Sequence, residues 1–290
     1  MPLRILKCKV TNASVDWLTL TAASKERRER LWSIGERLLN RAQAEGEDTP
    51  RWHAHGYSGW SADHIALGAR EDGCYLRLSS FKSADHWRES LAASENCSRL
   101  DLAVDCELDS PVTTLSRQIY RDAGHVVPLS GRPPKRSLVV SGDGGSTVYI
   151  GSRTSEQMGR VYDKGIEAKA RPAGLWWRWE VEYKGDRSFA TGSAMLESDS
   201  PEVLCMGLVA TYFRQRSNNT FTSTADFIVC NGRRDPSSVE QQLSWLARSV
   251  RPTVASLVER VGLERVLFAL GLPPQSAVER PHAVQGLRRA

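Results

Sequence analysis

The stretch Ser98-Arg-Leu-Asp-Leu-Ala-Val-Asp105 alternates charged and apolar side chains with a period of two residues. Successive side chains of a β-strand point to opposite faces, so this pattern predicts a strand with one aliphatic face and one charged face. The charged face would carry Arg99, Asp101 and Asp105. Such a strand belongs in a sheet that packs on a hydrophobic core with one face only.

Two later stretches repeat the pattern, near residues 159–164 and 176–184. The first stretch places a phenol between two cations on one face. The second places aromatic residues on one face and charged residues on the other. Their polar faces would carry Arg160, Tyr162 and Lys164 on the first strand, and Arg178, Glu180, Glu182 and Lys184 on the second. If the three strands are neighbours, one sheet face gathers carboxylates, a phenol and cations.

The rest of the chain predicts a mixed order of elements. Further strands are expected near residues 15–22, 62–70 and 74–80 and on both sides of the turn 142–145, and helices near 24–45, 84–93, 112–123 and 201–216. Helices that interrupt mainly antiparallel strands define an α+β fold with flanking helices and a helical C-terminal portion. Residues 1–235 are therefore expected to form the α+β domain.

Residues 236–290 are expected to form a separate helical segment. A helix is predicted near 239–250 and two shorter ones after Pro252, with Gly262 between them. After Asp235 the segment is basic, so these helices could read duplex DNA as a helix-turn-helix. A helical cap that packs on the sheet is the alternative.

The composition restricts the function classes. The 290-residue chain has a formal net charge of +5, which permits a polyanionic partner without requiring one. Its six cysteines form no C-x-x-C pair, so zinc-finger spacing is absent and reduced thiols are expected. No leader and no apolar run of membrane-spanning length is seen, which favours a cytoplasmic protein without a membrane partner.

The residue types of the charged face suit phosphodiester transfer. A phenolate oxygen can attack phosphorus and form a covalent intermediate. Carboxylates are hard ligands for Mg²⁺ or Mn²⁺, which polarises a phosphoryl oxygen, and arginine and lysine orient the phosphate. Because a tyrosine hydroxyl titrates near ~10, attack by Tyr162 at neutral pH needs help from a metal or from a cation such as Lys164.

Strand geometry restricts the metal ligands. Asp101 and Asp105 would lie roughly 13 Å apart at Cα, too far to share one ion, whereas Glu180 and Glu182 lie about 7 Å apart. One carboxylate from each strand, Asp101 with Glu180, is the preferred pair, and Asp105 and Glu182 are reserves. The same alternation is also typical of a solvated sheet face with cross-strand ion pairs and no function.

Four stretches together resemble the Rep_trans family of replication initiation factors. They are Arg99–Asp105, Thr147-Val-Tyr-Ile-Gly-Ser-Arg-Thr-Ser155, Arg160-Val-Tyr-Asp-Lys164 and Trp177-Arg-Trp-Glu-Val-Glu-Tyr-Lys-Gly185. The resemblance covers residues 97–185, and the family includes initiators of rolling-circle plasmids and filamentous phages and related relaxases. It implies a metal-dependent enzyme that nicks and rejoins one DNA strand through a 5′-phosphotyrosine.

The resemblance also assigns roles. By its position in Arg-x-Tyr-x-Lys, Tyr162 would be the nucleophile, assisted by Lys164, Arg160 and Arg178. The expected DNA-binding residues are Arg153, Arg160, Lys164, Arg178 and Lys184. The expected partners are single-stranded or extruded origin DNA and a host helicase and polymerase, with a second copy of the chain as a further candidate. A conjugative relaxase and a DNA-binding regulator that does not cleave are the rival functions.

Other residues compete for these roles. Tyr149, Tyr183 and Tyr212 are rival nucleophiles, but their apolar surroundings in the sequence favour structural roles. His53-Ala-His55 matches a histidine–hydrophobic–histidine metal motif. The glycines that follow it predict a loop rather than a central strand, so a surface or stacking role is preferred to metal binding.

Overall fold

The computed structural model describes residues 4–126, 133–221 and 251–269. The chain divides into two compact units, Met1–Arg234 and Asp235–Ala290. Among the described residues, no helix combines the length and apolar character needed to cross a membrane.

The first unit is built on a ten-stranded, entirely antiparallel sheet. Its spatial order is β3-β4-β5-β6-β2-β7-β11-β10-β9-β8. Its strands are β2 Lys9–Ala22, β3 Arg51–Ala54, β4 Tyr57–Ala62, β5 Ile65–Arg70, β6 Gly73–Ser79, β7 Asn96–Glu107, β8 Arg136–Val140, β9 Ser146–Gly151, β10 Gln157–Asp163 and β11 Trp176–Lys184. A separate parallel pair joins β1, Arg4–Leu6, to β12, Asn219–Phe221.

Helices cover one face of this sheet. They are α1 Lys25–Ala44, α2 Ser80–Ala93, α3 Leu115–Ala123, α5 Gly185–Glu197 and α6 Pro201–Ser217, and a four-residue helix, α4 Lys164–Glu167, follows β10 directly. On that side, Trp179 of β11 meets Phe213 of α6 edge-on, with ring centroids 4.9 Å apart. The opposite face is called the outer face here and is defined by the side chains of Trp17, Arg77, Asp101, Tyr162 and Glu180.

Sequence and packing agree closely in β7 and β11. The aliphatic side of β7 is fully buried, as alternation predicts, and Trp177, Trp179 and Val181 of β11 are each fully buried on the same side. At about 25 cal/mol per Å² of apolar surface, each large aromatic contributes several kcal/mol to this core. The α+β prediction with a mainly antiparallel sheet is confirmed.

The N-terminus of α1 is satisfied by a residue distant in the sequence. Ser24 precedes the helix, but its side chain makes no capping hydrogen bond. The carboxylate of Glu95 instead accepts hydrogen bonds from the backbone N–H groups of Ala23 and Ser24, at 2.8 and 2.9 Å. A distant carboxylate thus satisfies backbone donors that a serine side chain at this position often serves.

The stretch around His53 and His55, where the following glycines predict a loop, forms a hairpin of β3 and β4 at the edge of the sheet. Glycine permits this close pairing. A Cβ added at Gly59 would lie 2.0 Å from the backbone oxygen of Leu67. The glycines of this stretch therefore serve a strand, and the prediction of a loop is wrong.

In the second unit, helices α7, Arg251–Val261, and α8, Leu263–Ala269, flank Gly262. Gly262 has φ +86°, a conformation that favours glycine and that separates the two helices. The helix predicted near residues 239–250 lies outside the described residues.

Candidate functional site

Adjacent strands bring the predicted site residues together on the outer face. The antiparallel order β7-β11-β10 places the three charged strand faces side by side. Across these strands Arg160 pairs with Glu180, and Tyr162 pairs with Arg178. On the other side of β11, Arg178 pairs with Asp105, and Glu182 pairs with Asp101.

Asp101 lies at the centre of β7 and is almost fully buried. The Arg99 guanidinium donates to both of its carboxylate oxygens, at 2.8 and 2.6 Å, and also contacts Glu182 at 3.0 Å. Burial raises the pKa of Asp101, Arg99 opposes that shift, and the charge of Glu182 reinforces it. The carboxylate is therefore held in place by one arginine that it shares with a second acid.

Glu180 has a similar environment on β11. Its side chain is almost fully buried, Oε1 is ion-paired with Arg160, and Oε2 accepts a long hydrogen bond from the Tyr162 hydroxyl at 3.5 Å. Burial raises the pKa of Glu180 to about 7, against the lowering effect of Arg160. The nearby charges of Asp16 and Asp101 raise it further, so three carboxylates influence one another here.

Tyr162 lies half-buried between two cations. The guanidinium carbon of Arg160 and the Nζ of Lys164 are each 5.9 Å from the centre of its ring. Burial and the charge of Glu180 raise the pKa of Tyr162, whereas Arg178 and Arg160 lower it. The phenol is thus protonated at neutral pH, and any change that neutralises Glu180 makes it more acidic.

Arg178 connects the site to β2. It binds both oxygens of Asp105, at 2.7 and 2.8 Å, and contacts Asp16 at 2.9 Å. Both oxygens of Asp105 are therefore paired with Arg178. Sequence reasoning missed Asp16, which lies where a register shift between Val15 and Trp17 interrupts the pairing of β2 with β7.

The lysines differ from the simple strand pattern. Lys164 is the first residue of α4 rather than the last of β10, and its ammonium is ion-paired with Glu167. The prediction that it continues the β10 strand is wrong, although it still lies beside Tyr162. Lys184 contacts Glu182 at 2.5 Å and donates to the backbone oxygen of Arg153 at 2.6 Å, which links the β9–β10 turn to the site.

Asp101 and Glu180 are the carboxylates that could hold a hard divalent cation, and each is ion-paired with an arginine, Arg99 and Arg160 respectively. Both carboxylates lie on the outer face of neighbouring strands, and Glu180 is diagonal to Asp101, since the residue directly opposite Asp101 is Glu182. Both have raised pKa values caused by burial and by neighbouring acids, the electrostatic condition that a bound cation relieves. Within the described ranges, no group of three acidic, cysteine or histidine side chains is already arranged as a metal site.

The rival tyrosines occupy different environments. Tyr183 is buried on the helix side of β11. Tyr212 is buried in α6, donates to the backbone oxygen of Ile150 at 2.6 Å and accepts from the N–H of Gly159 at 3.0 Å. Tyr149 is half-buried and pairs directly with Arg160 across β9 and β10, so it is the tyrosine nearest in position to Tyr162.

The two histidines have separate contacts. His53 Nδ1 is 2.9 Å from Ser58 Oγ, within the edge hairpin. His55 lies in the turn with φ 54°, and its ring is 6.1 Å from that of Tyr75. These contacts are consistent with surface and stacking roles.

Residues 95–265 match the model of the Rep_trans family, described as a replication initiation factor. Because the match spans more than half of the chain, the protein belongs to that family. Among solved structures, the chain is similar to the rolling circle replication initiator protein from Geobacillus stearothermophilus, with a TM-score of 0.52 and 19% identity over 81% of this chain and 95% of that chain. This likeness supports a shared fold. A comparison with curated proteins finds no match.

Proposed function

We propose that this protein is a rolling-circle replication initiator that nicks and rejoins one DNA strand through Tyr162. The observation that carries the proposal is the position of Tyr162, whose hydroxyl lies 3.5 Å from Glu180 and whose ring lies beside Arg160 and Lys164. Membership of a family of replication initiation factors supports this chemistry, and the similar Geobacillus protein is a rolling circle replication initiator.

In the nicking step, the Tyr162 hydroxyl gives up its proton to the surrounding water, its oxygen attacks the scissile phosphorus and a new P–O bond forms. The bond from phosphorus to the 3′ oxygen breaks, and that oxygen takes a proton and leaves as a 3′-OH. The 5′ phosphate remains on the tyrosine, so the phosphodiester energy is retained. In rejoining, a 3′-OH attacks the same phosphorus, and the phenol leaves and regains its proton.

The cations of the site prepare the phenol and hold the phosphate. Arg160 and Arg178 lower the pKa of Tyr162 and thus stabilise the phenolate. The non-bridging phosphate oxygens are suitable acceptors for Arg160, Lys164 and Arg178, with Arg153 and Lys184 placed for the neighbouring backbone phosphates. When DNA binds, Arg160 must therefore release Glu180 in order to bind the phosphate.

Asp101 and Glu180 would hold Mg²⁺ or Mn²⁺, with Asp105 and Glu182 as reserves, and the ion would polarise a phosphoryl oxygen. The electrostatics of the pair support this assignment. Neutralising Glu180 in this way would remove the charge that raises the pKa of Tyr162. Metal binding and nucleophile activation would then be coupled through one side chain.

The wider setting follows from the chemistry. The substrate would be single-stranded or extruded origin DNA, and the released 3′-OH would prime a host polymerase, with a helicase to unwind the duplex. We assign nicking and joining to residues 1–235 and origin recognition to residues 236–290, because α7 and α8 meet at a glycine as in a helix-turn-helix. A cytoplasmic location and self-association as a homodimer would suit this role.

A nicking assay on a labelled strand that carries the origin tests the proposal. Tyr162→Phe removes only the attacking oxygen, so DNA binding should persist while nicking and rejoining are lost. Tyr149→Phe is the matched control, because it removes a hydroxyl from the facing strand and should keep activity. If the unmodified protein and the Tyr149→Phe control both bind the DNA but neither nicks it, a regulator that does not cleave would be favoured.

A further inference from the structure

Beyond β7, the outer face changes from acidic residues to aromatic and arginine side chains. Trp17 of β2 lies directly opposite Asp101, which places it next to the proposed active site. The guanidinium groups of Arg99 and Arg77 lie over its ring, at 4.4 and 5.4 Å from the centroid. The indole N–H donates to Thr19 at 3.0 Å, so the ring orientation is fixed.

Arg77 differs from the arginines of the active site. Arg99, Arg160 and Arg178 each hold a carboxylate. Among the residues that the structure describes, Arg77 is paired with no carboxylate, and its buried Nε has no hydrogen-bond partner. A guanidinium that no carboxylate holds, lying over an aromatic ring, is suited to an anionic or planar ligand.

Toward the edge of the sheet, the outer face carries an aromatic cluster in which Tyr75 is buried and Trp52 is half-buried. Tyr75 lies two residues from Arg77 on the same side of β6, and the Trp52 ring stacks on it at 5.0 Å with an interplanar angle of 23°. Trp52 is half-buried and belongs to the edge strand β3. Successive rings and a cation on one face are the features by which proteins bind single-stranded nucleic acid without reading its sequence.

We propose that Trp17, Arg77 and Trp52 form a stacking track that holds the single strand flanking the scissile phosphate, between the Tyr162 site and the β3–β4 edge. That the ligand is DNA rests on the proposed function, whereas the track itself rests on these side chains. Strands lie about 4.8 Å apart, so β2 is roughly 14 Å from β10 and β6 roughly 19 Å. Trp17 and Arg77 are also offset from Tyr162 by about four and six residues along the strands, so they lie roughly 20 and 28 Å from it. At a stacked spacing of about 3.4 Å per nucleotide, these separations correspond to about six to eight nucleotides.

The track explains features that the nicking chemistry does not use. Arg99 holds Asp101 with its donors while its guanidinium lies over Trp17, so it joins the active site to the track. A base bound on Trp17 or Arg77 would fix the register of the strand relative to Tyr162. Flanking nucleotides would then position the scissile phosphate.

Binding of a fluorescent oligothymidylate of about 20 nucleotides to the full chain tests the track. Trp17→Leu keeps apolar bulk but removes the stacking surface, and Arg77→Gln removes the unpaired cation. Each should lower affinity about tenfold, since one base-stacking contact is worth ~1–3 kcal/mol. Arg77→Gln should also reduce the salt dependence of binding by about one phosphate contact.

Arg88→Gln is the matched control, because Arg88 also lies over a tryptophan ring, 5.1 Å from the centroid of Trp87, but belongs to α2 in the helical layer. It should bind as the unmodified protein does. Equal affinity of Trp17→Leu, Arg77→Gln and Arg88→Gln in folded proteins, or no binding of the oligonucleotide by the unmodified protein, overturns the track.

A photocrosslinking experiment gives an independent readout that does not depend on the stability of a variant. An oligothymidylate that carries 5-iodouracil should crosslink to peptides that contain Trp17 or Trp52. Crosslinks confined to other peptides overturn the track. If the track is supported but no tyrosine adduct forms on origin DNA, the proposed nicking function fails and the track stands as a DNA-binding surface. If adducts form but both track variants bind normally, the track is overturned and the proposed nicking function stands.

Discussion

The two sides of β11 bury side chains for different reasons. On the helix side, Trp177 and Trp179 are fully buried among apolar neighbours. On the outer side, Glu180 is buried as deeply, but its partners are Arg160 and the Tyr162 hydroxyl. Apolar burial stabilises a fold directly, whereas the desolvation of a buried ion pair offsets its attraction. We therefore expect substitutions on the helix side to lower stability and substitutions on the outer side to affect the proposed chemistry.

The largest effect is expected from Glu180→Gln. This change keeps the shape of the side chain and removes the charge that would bind the metal, so nicking should fall at least about 100-fold, or ~2.7 kcal/mol in the barrier. Asp101→Asn and a chelator should act similarly, as measured by single-turnover nicking. Retained folding by circular dichroism is the control. Full nicking in chelator would refute the metal site.

Trp179→Ala, on the helix side, should mainly lower the stability of the fold. Loss of a fully buried indole that contacts Phe213 and Phe221 should lower the free energy of unfolding by about 3–5 kcal/mol. Urea denaturation measures this change, and Trp176→Ala, a half-buried residue of the same strand, should cost less. If Glu180→Gln destabilises the protein as much as Trp179→Ala does, the division between the two sides is wrong.

The pH dependence of metal binding should depend on Glu180, on the outer side of β11. A pKa of about 7 for Glu180 means that the carboxyl is largely protonated below pH 7 and must lose its proton to bind a cation. The affinity for Mn²⁺ should therefore rise by up to about tenfold per pH unit from pH 5 to 7 and level off above it. Isothermal titration on Tyr162→Phe measures this without DNA. An affinity that is flat across this range contradicts the assignment of Glu180.

The smallest effect is expected from the edge hairpin. His53→Ala combined with His55→Ala removes two side chains whose contacts are to Ser58 and Tyr75. Nicking should stay within about tenfold of the unmodified protein, less than ~1.4 kcal/mol in the barrier. Loss of all nicking in a folded double variant would transfer the metal site to the two histidines.

The site strands could be predicted from the sequence because their period of two is unambiguous in β7, β10 and β11. Asp16 could not, because its role depends on an irregularity in the pairing of β2 with β7 that alternation does not encode. The only signal was an acid within an otherwise apolar and hydroxyl-rich stretch. A strand pattern also does not show where a strand ends, which is why Lys164 was assigned to β10.

Helix α5 was missed for a different reason. Its sequence begins at Gly185 and is rich in small residues, which lowers its intrinsic helix propensity. The structure shows what these residues do: Ser188, Thr191 and Gly192 are buried, and a Cβ at Gly192 would lie 3.1 Å from Leu91 of α2. Close packing of α5 against its neighbours compensates for the weak propensity, and such tertiary contacts are not visible in one sequence.

Mapping of the covalent adduct tests the central claim most directly. The unmodified protein is incubated with a labelled origin strand and divalent metal, denatured and digested, and the peptide that carries the nucleotide is identified by mass spectrometry. The account predicts a 5′-phosphotyrosine on Tyr162 and no adduct in Tyr162→Phe. An adduct on Tyr149, Tyr183 or Tyr212 would contradict the assignment of the nucleophile. Efficient cutting by Tyr162→Phe with no adduct in either protein would contradict the mechanism.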